Sequence, residues 1–282
     1  MRGETAKPQS ADQGRRRAGA RLIVCDVDGT LMPYGSYGLP PELFSLIDEM
    51  AERGWEFMLA SGRQYSSLCG LLGDRAQSLD FICENGALVF RRGQLWQQRP
   101  FAEQLAWELI RELRSLEPRC LISTARESLV FADRPDFYRY MEEVVGNCCR
   151  SIETLGEIAE PVLKISILCA PEREAEAYEL LRRRWSGRCQ VQRAGGGWVD
   201  CMVTDKGQAL AAYCAELGWR RDQVWAYGDN ENDLGMLAFA GQAYSLHPRL
   251  LGRGIEGLEL LSEVPSSLRT MLDEETSAQP SD

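Results

Sequence analysis

The stretch Arg21–Leu31, RLIVCDVDGTL, constrains this chain more than any other. Leu22 to Cys25 form a short apolar run with the character of a buried strand, and Asp26 and Asp28 follow at once. Alternate residues of a strand face the same way, so both carboxylates leave its end on one side while Val27 turns back to the core. Two carboxylates that close repel unless a cation sits between them or one holds a proton. A divalent metal bound by Asp26, with Asp28 kept available as an acid, resolves the conflict. Gly29 lets the backbone turn sharply, and Thr30 offers a hydroxyl and an amide to an anion. Taken alone, the run reads equally well as a strand ending in an Asp-rich turn.

The following segments favour the chemical reading. An amphipathic pattern from Pro41 to Arg53, closed by Gly54, predicts a helix, and the apolar run Trp55–Ala60 predicts a second strand. Strand, helix and strand in succession make a βαβ unit, which implies a parallel sheet with a right-handed crossover. Ser61-Gly62-Arg63 follow that second strand directly, before a helix starting near Tyr65. Carboxyl ends of neighbouring parallel strands share one crevice, which brings Ser61 beside Asp26 and Asp28, its hydroxyl and nearby amides able to bind an anion. The same serine would also serve as a plain helix cap. A third run, Leu79–Cys83, ends in the tight-turn signature Glu84-Asn85-Gly86.

From Ala87 the pattern changes to hairpins alternating with helices, which suggests a separate α+β unit inserted into the parallel-sheet domain. Its final hairpin pairs Arg188–Arg193 with Trp198–Val203, and Arg193 and Trp198 there serve the hairpin rather than recognition. The parallel-sheet pattern resumes at Asp205-Lys206-Gly207, which open a helix to Leu217. The strand Gln223–Tyr227 then ends in Gly228-Asp229-Asn230-Glu231-Asn232-Asp233. Asp229 and Asp233 can complete an oxygen cage with Asp26 of the kind Mg²⁺ takes, although Asn and Asp also cluster in ordinary turns. Lys206 stands at a helix N-terminus, where the dipole opposes it, a sign that something anionic lies opposite; a solvated surface lysine is the alternative.

Composition limits the partners. A formal charge of −10 argues against nucleic acid and anionic membranes, and no apolar run is long enough for a membrane helix. The polar first 20 residues read as a disordered tail with no secretory apolar region, and Asp273–Asp282 as an acidic one. Ten scattered cysteines without a C-x-x-C spacing predict reduced thiols in a cytoplasmic protein. The single histidine, His247, precedes a proline in a loop, which leaves no room for a His-based zinc site. Catalysis must come chiefly from carboxylates, hydroxyls, lysine and a hard metal.

Together, DVDGT at Asp26–Thr30, the serine of ASGR at Ser61, Lys206 in DKG and GDNEND at Gly228–Asp233 resemble the haloacid dehalogenase superfamily, specifically its Cof-like phosphatase branch with an inserted α/β cap. ENGA at Glu84–Ala87 resembles the branch's entry to its cap. The resemblance covers residues from about 21 to 245. It implies an α/β fold: a Rossmann-like parallel-sheet core over 21–86 and 199–272, with an inserted α+β cap over 87–198. It implies a Mg²⁺-dependent phosphatase acting on a small phosphorylated metabolite, such as a sugar phosphate. Asp26 would attack phosphorus to form an aspartyl-phosphate; Asp28 would protonate the leaving oxygen and then activate water. Asp26, the backbone carbonyl of Asp28, and Asp229 would hold the metal, with Asp233 orienting or bridging through water. Thr30, Ser61, Gly62, Lys206 and Asn232 would bind phosphate or substrate. Two departures stand out: AYSLHPRL replaces the branch's small-residue loop after the fourth motif, and GRGIEGLELLSEV lacks its common ending. The alternatives are a phosphosugar mutase of the phosphomannomutase type and a non-catalytic module that binds a phosphometabolite.

Overall fold

The computed structural model describes residues 19–278 apart from 34, 37 and 118. Its first half runs β1 (Leu22–Cys25), α1 (Pro41–Glu52), β2 (Glu56–Ala60), α2 (Tyr65–Leu72), β3 (Asp80–Cys83), β4 (Leu88–Arg91), β5 (Gln94–Gln98), α3 (Glu103–Leu116), β6 (Cys120–Ser123), β7 (Ser128–Phe131) and α4 (Pro135–Arg139). There follow β8 (Cys149–Ile152), β9 (Lys164–Leu168), α5 (Pro171–Trp185), β10 (Gln190–Gly195), β11 (Trp198–Met202), α6 (Lys206–Leu217), β12 (Val224–Gly228), α7 (Leu234–Phe239), β13 (Gln242–Ser245), β14 (Glu259–Leu260) and α8 (Val264–Ala278).

Two sheets result. The larger has eight strands in the order β14-β13-β12-β1-β2-β3-β4-β5. It is parallel from β14 to β3, and β4 and β5 add to it antiparallel. Alternation along β1 and β2 explains its two covered faces. Ile23, Cys25, Phe57 and Leu59 pack with residues of α1, α2 and α8, while Leu22, Val24, Met58 and Ala60 pack with residues of α6 and α7. Because β12 and β2 flank β1 on opposite sides, the crevice at their carboxyl ends is the topological switch point.

The second sheet has six strands in the order β10-β11-β9-β6-β7-β8. Ile165, Ile167, Val199 and Cys201 turn to one face, where residues of α3 and α5 bury them. The alternate residues Lys164 and Ser166 of β9, and Trp198 and Asp200 of β11, turn to the other, and that face lines a cavity above the switch point.

Several boundaries differ from those expected. The hairpin β4–β5, expected at the start of the inserted unit, extends the core sheet instead. Glu84, Asn85 and Gly86 take left-handed backbone angles (φ 50°, 54° and 105°), and this reversal lays Leu88 back against Cys83. At the far end, β11 lies wholly in the second sheet, between β10 and β9, so the return to the core follows Met202 rather than residue 198. The acidic tail expected from Asp273 is, as far as Ala278, the last part of α8. Leu268, Met271 and Leu272 are buried, and the apolar face they form holds the helix to the core. Residues 279–282, and 1–18 of the expected N-terminal tail, lie outside the described residues, whereas Ala20 is buried in the core. In the inserted unit, α4 is followed directly by a π-turn over Tyr140–Val144. All ten cysteines are free thiols, and among the described residues no helix is long and apolar enough to cross a membrane.

Candidate active site

Strand ends deliver the acidic groups. Asp26 directly follows β1, its amide donating to the Tyr227 carbonyl of β12 at 2.9 Å. Asp229 follows β12, and the short turn Glu231–Asp233 curls Asp233 back so that its Oδ2 accepts from the amides of Asp229 and Asn230, each at 3.0 Å. A β-carbon on Gly228 would lie 2.6 Å from Asp233 Cβ, so only glycine lets this turn close so tightly. The carboxylates of Asp26, Asp229 and Asp233, all buried, each place an oxygen within 4.8 Å of the others.

Lys206 compensates part of this charge. It is fully buried at the first position of α6, whose N-terminus Asp205 caps by accepting from Gln208 N at 2.8 Å. Its Nζ donates to Asp26 Oδ1 and to Asp233 Oδ1, both at 2.6 Å. Burial alone would lower the lysine pKa, but Asp233 and Asp26 outweigh it and raise it, so the ammonium stays charged. Burial, and then the neighbouring Asp233, push the Asp26 carboxyl well above the usual carboxylate range against the pull of Lys206. Three buried carboxylates thus converge on this one lysine. Buried hard-oxygen donors in this number fit a divalent cation such as Mg²⁺, so the residues present suit the metal the motifs imply.

The remaining motif residues divide. Asp28 stands apart from the acidic trio: its Oδ2 accepts from Arg63 Nε at 2.8 Å and its Oδ1 from Arg63 Nη2 at 2.7 Å. Ser61 is buried and lines the cavity, and its Oγ accepts from the Arg63 amide at 3.1 Å. Thr30 turns its hydroxyl to Asp229 Oδ1 at 3.4 Å. Gly62 lines the cavity and its carbonyl accepts from Lys164 Nζ at 2.6 Å. Asn232 lines it too, and donates through Nδ2 to Asn85 Oδ1 at 3.1 Å.

Asn85 begins a network that no motif announced. Its Nδ2 donates to Asp200 Oδ2 at 2.7 Å; Lys164 Nζ lies 3.7 Å from that oxygen and 2.7 Å from Glu84 Oε2. Burial tends to lower the Lys164 pKa, but Asp200 and Glu84 raise it, while burial raises that of Glu84. The chain thus ties the Ser61–Arg63 loop, the 84–86 turn and the second sheet together across the cavity floor. A sequence signal for it existed. Lys164 opens the apolar run KISILC and Asp200 interrupts WVDCMV, and a charge inside an apolar strand needs a partner. Trp198, assigned to hairpin structure alone, also lines the cavity, whereas Arg193 is paired with Glu174 at 2.6 Å. Arg249, from the divergent AYSLHPRL segment, reaches Asp229 Oδ2 at 3.4 Å, and His247 caps the turn before it by accepting from the Arg249 amide.

Comparison with known proteins agrees with this geometry. The family model for haloacid dehalogenase-like hydrolases matches residues 23–247. Pyridoxal phosphate phosphatase YbhA of Escherichia coli is 24% identical over 250 residues, which cover 80% of this chain and 87% of that protein. A HAD/COF-like hydrolase from Plasmodium vivax superposes with a TM-score of 0.80 at 16% identity, covering 95% of this chain and 98% of that one. A sugar phosphatase of HAD subclass IIB superposes with a TM-score of 0.72 at 14% identity, covering 89% and 98%. The chain belongs to the haloacid dehalogenase-like hydrolases, in their Cof-like phosphatase branch.

Proposed function

We propose that this protein is a Mg²⁺-dependent phosphatase that hydrolyses a small phosphorylated metabolite through a phosphoryl group carried on Asp26. The observation that carries the reading is the convergence of Asp26, Asp229, Asp233 and Lys206 at one strand edge, beside a cavity of about 400 Å³ that also meets Asp28. The named activities of the relatives, a pyridoxal phosphate phosphatase and a sugar phosphatase, support the same class of substrate.

Asp26 is the nucleophile. Lys206 holds its Oδ1, which leaves the other oxygen to attack phosphorus while the bond to the ester oxygen breaks. Asp28, held at the strand end by Arg63, gives a proton to the departing oxygen and later takes one from the water that cleaves the acyl-phosphate. Ser61, the Gly62 amide and Asn232 steady the phosphoryl oxygens, and Lys206 neutralises charge as it builds up. Asp26, Asp229 and the backbone carbonyl of Asp28 would hold Mg²⁺, with Asp233 orienting the set. When bound, the ion supplies positive charge to the phosphoryl oxygens.

The test uses an activated aryl phosphate, whose leaving group scarcely needs an acid. Asp28→Asn keeps the nucleophile but lacks the base for the second step, so rapid quench should trap phosphate on Asp26; Asp26→Asn should trap none. Phosphate found on Ser61, or wild-type turnover in both variants, would defeat the mechanism.

A further inference from the structure

We infer that Lys164 and Asp200, from the second sheet, are positioning residues that complete the phosphate grip, so that the grip exists only while that sheet is seated on the first. The inference rests on the phosphatase reading and adds two residues to it. Strands β9 and β11 pair antiparallel with Asp200 opposite Ser166, which makes Lys164 and Asp200 diagonal neighbours on one face. Both are buried (5% and 3% exposed) and line the cavity. Apolar side chains would join two sheets at lower cost than buried charges, so what these two charges hold matters.

The loop Ser61–Arg63 is held by its carbonyls. Those of Ser61 and Arg63 accept from the Asn85 and Glu84 amides at 3.0 and 3.1 Å, within the core. The Gly62 carbonyl between them accepts from Lys164 Nζ, across from the second sheet, at 2.6 Å. Gly62 has no side chain to restrain that peptide, and a β-carbon there would come within 3.1 Å of Asn85 Oδ1. The peptide fixed by the ammonium continues into the Arg63 amide, which donates to Ser61 Oγ at 3.1 Å. Ser61 accepts there and keeps its own proton for a phosphoryl oxygen. An ammonium on the carbonyl also polarises the peptide and strengthens its N–H as a donor. Asp200 serves the other arm. Its Oδ2 accepts from Asn85 Nδ2 at 2.7 Å, and Asn85 Oδ1 accepts from Asn232 Nδ2 at 3.1 Å. Ser61 and Asn232, from separate strand ends, thus take their orientation from one pair of charges 3.7 Å apart.

The probe is inorganic phosphate with saturating Mg²⁺, followed by calorimetry well below the melting temperature. Lys164→Met should weaken phosphate binding about tenfold and lower kcat/KM on p-nitrophenyl phosphate about 10- to 100-fold. The Mg²⁺ concentration at the midpoint of the thermal shift should stay that of wild type, because Asp26 and Asp229 lie outside the loop. In a Ser61→Ala background the same substitution should cost phosphate binding no more than about twofold, since it acts through Ser61. A residue that only joins the sheets would lower the melting temperature and leave phosphate affinity unchanged, or add its loss in full to that of Ser61→Ala; either result overturns the inference. Asp200→Ala should also lose about tenfold in phosphate affinity. Asp200→Asn keeps an acceptor for Asn85 and should recover most of it; an asparagine no better than alanine counts against the second arm. Should Lys164→Met not fold, Glu84→Gln/Lys164→Met, which removes one charge of each sign, is compared with Glu84→Gln under the same criteria. Failure of the phosphatase reading looks different: wild type then releases no phosphate from p-nitrophenyl phosphate, while the binding comparison still decides the inference. A wild type that binds no inorganic phosphate overturns the inference as well.

Discussion

Arg63 grips Asp28 with two parallel donors, Nε on one carboxylate oxygen at 2.8 Å and Nη2 on the other at 2.7 Å. The two residues follow neighbouring strands, so the ends of β1 and β2 are locked to each other through side chains as well as backbone. The hydrogen bonds to Asp28 raise the Arg63 pKa, which keeps the clamp charged. They also occupy both oxygens of the proposed acid, and proton delivery to a leaving oxygen requires Asp28 to let go of at least one donor.

Arg63→Ala should therefore misplace Asp28 without removing it. We expect kcat on an alkyl phosphate to fall about 10- to 100-fold, since misplacement on the order of 1 Å is that costly. The loss on p-nitrophenyl phosphate should be smaller, because that leaving group needs little protonation. Equal losses on both substrates would assign Arg63 to phosphate binding instead.

Metal dependence follows from the donor set. Mg²⁺ should raise the melting temperature of the wild-type protein by several degrees at saturation, because a ligand bound only by the folded state stabilises it. Asp229→Ala should abolish that shift and the activity together. Chelation should inactivate the enzyme, and Zn²⁺, which favours nitrogen and sulfur donors, should restore it poorly. Full activity after exhaustive chelation would rule the metal out.

Arg249→Gln tests the divergent segment. The Arg249 guanidinium lies 3.4 Å from Asp229 and its side chain is 41% exposed, so the pairing is weak and partly screened. Any cation held by Asp229 competes with it. The variant should bind Mg²⁺ about two- to fivefold more tightly, read as the midpoint of a Mg²⁺ titration of melting temperature. An unchanged midpoint would mark the contact as incidental.

Asp80 provides a pH test remote from the chemistry. It accepts from the Tyr213 hydroxyl and from the Arg92 amide, and burial pushes its carboxyl above the usual range although the Tyr213 bond pulls the other way. With the folded pKa above the unfolded one, the native state binds the extra proton between the two. The stabilisation is complete below the unfolded pKa and is lost as pH rises through the folded pKa. Asp80→Asn removes this term. Relative to wild type, the variant should gain stability from about pH 4 upward in urea unfolding. Parallel profiles for the two proteins would sink the assignment.

The strand ends carrying Asp26, Ser61 and Asp229, and the helix start carrying Lys206, were legible in the sequence, because apolar period and a following polar break are short-range signals. Asp28 was legible as a residue but not in its surroundings, since its partner Arg63 stands 35 residues away in the loop that follows the next strand. The hairpin at Leu88–Gln98 was found as a hairpin and assigned to the wrong sheet. A two-strand pattern specifies its own pairing, whereas the left-handed turn at Glu84–Gly86 decides which outer edge it joins.

The sequence by itself determined the alternating faces of β1 and β2, the residues at their ends, and the kind of chemistry an acidic cluster with one lysine can perform. Those properties depend on neighbours a few positions apart. Only the tertiary structure decided that Lys206 bridges Asp26 and Asp233, across 180 and 27 residues, and that Lys164 crosses from the second sheet to Gly62, 102 residues away. Buried charges take whichever partner the packed sheets leave within reach, and that reach is set by strand order and by the closing of two sheets over one cavity.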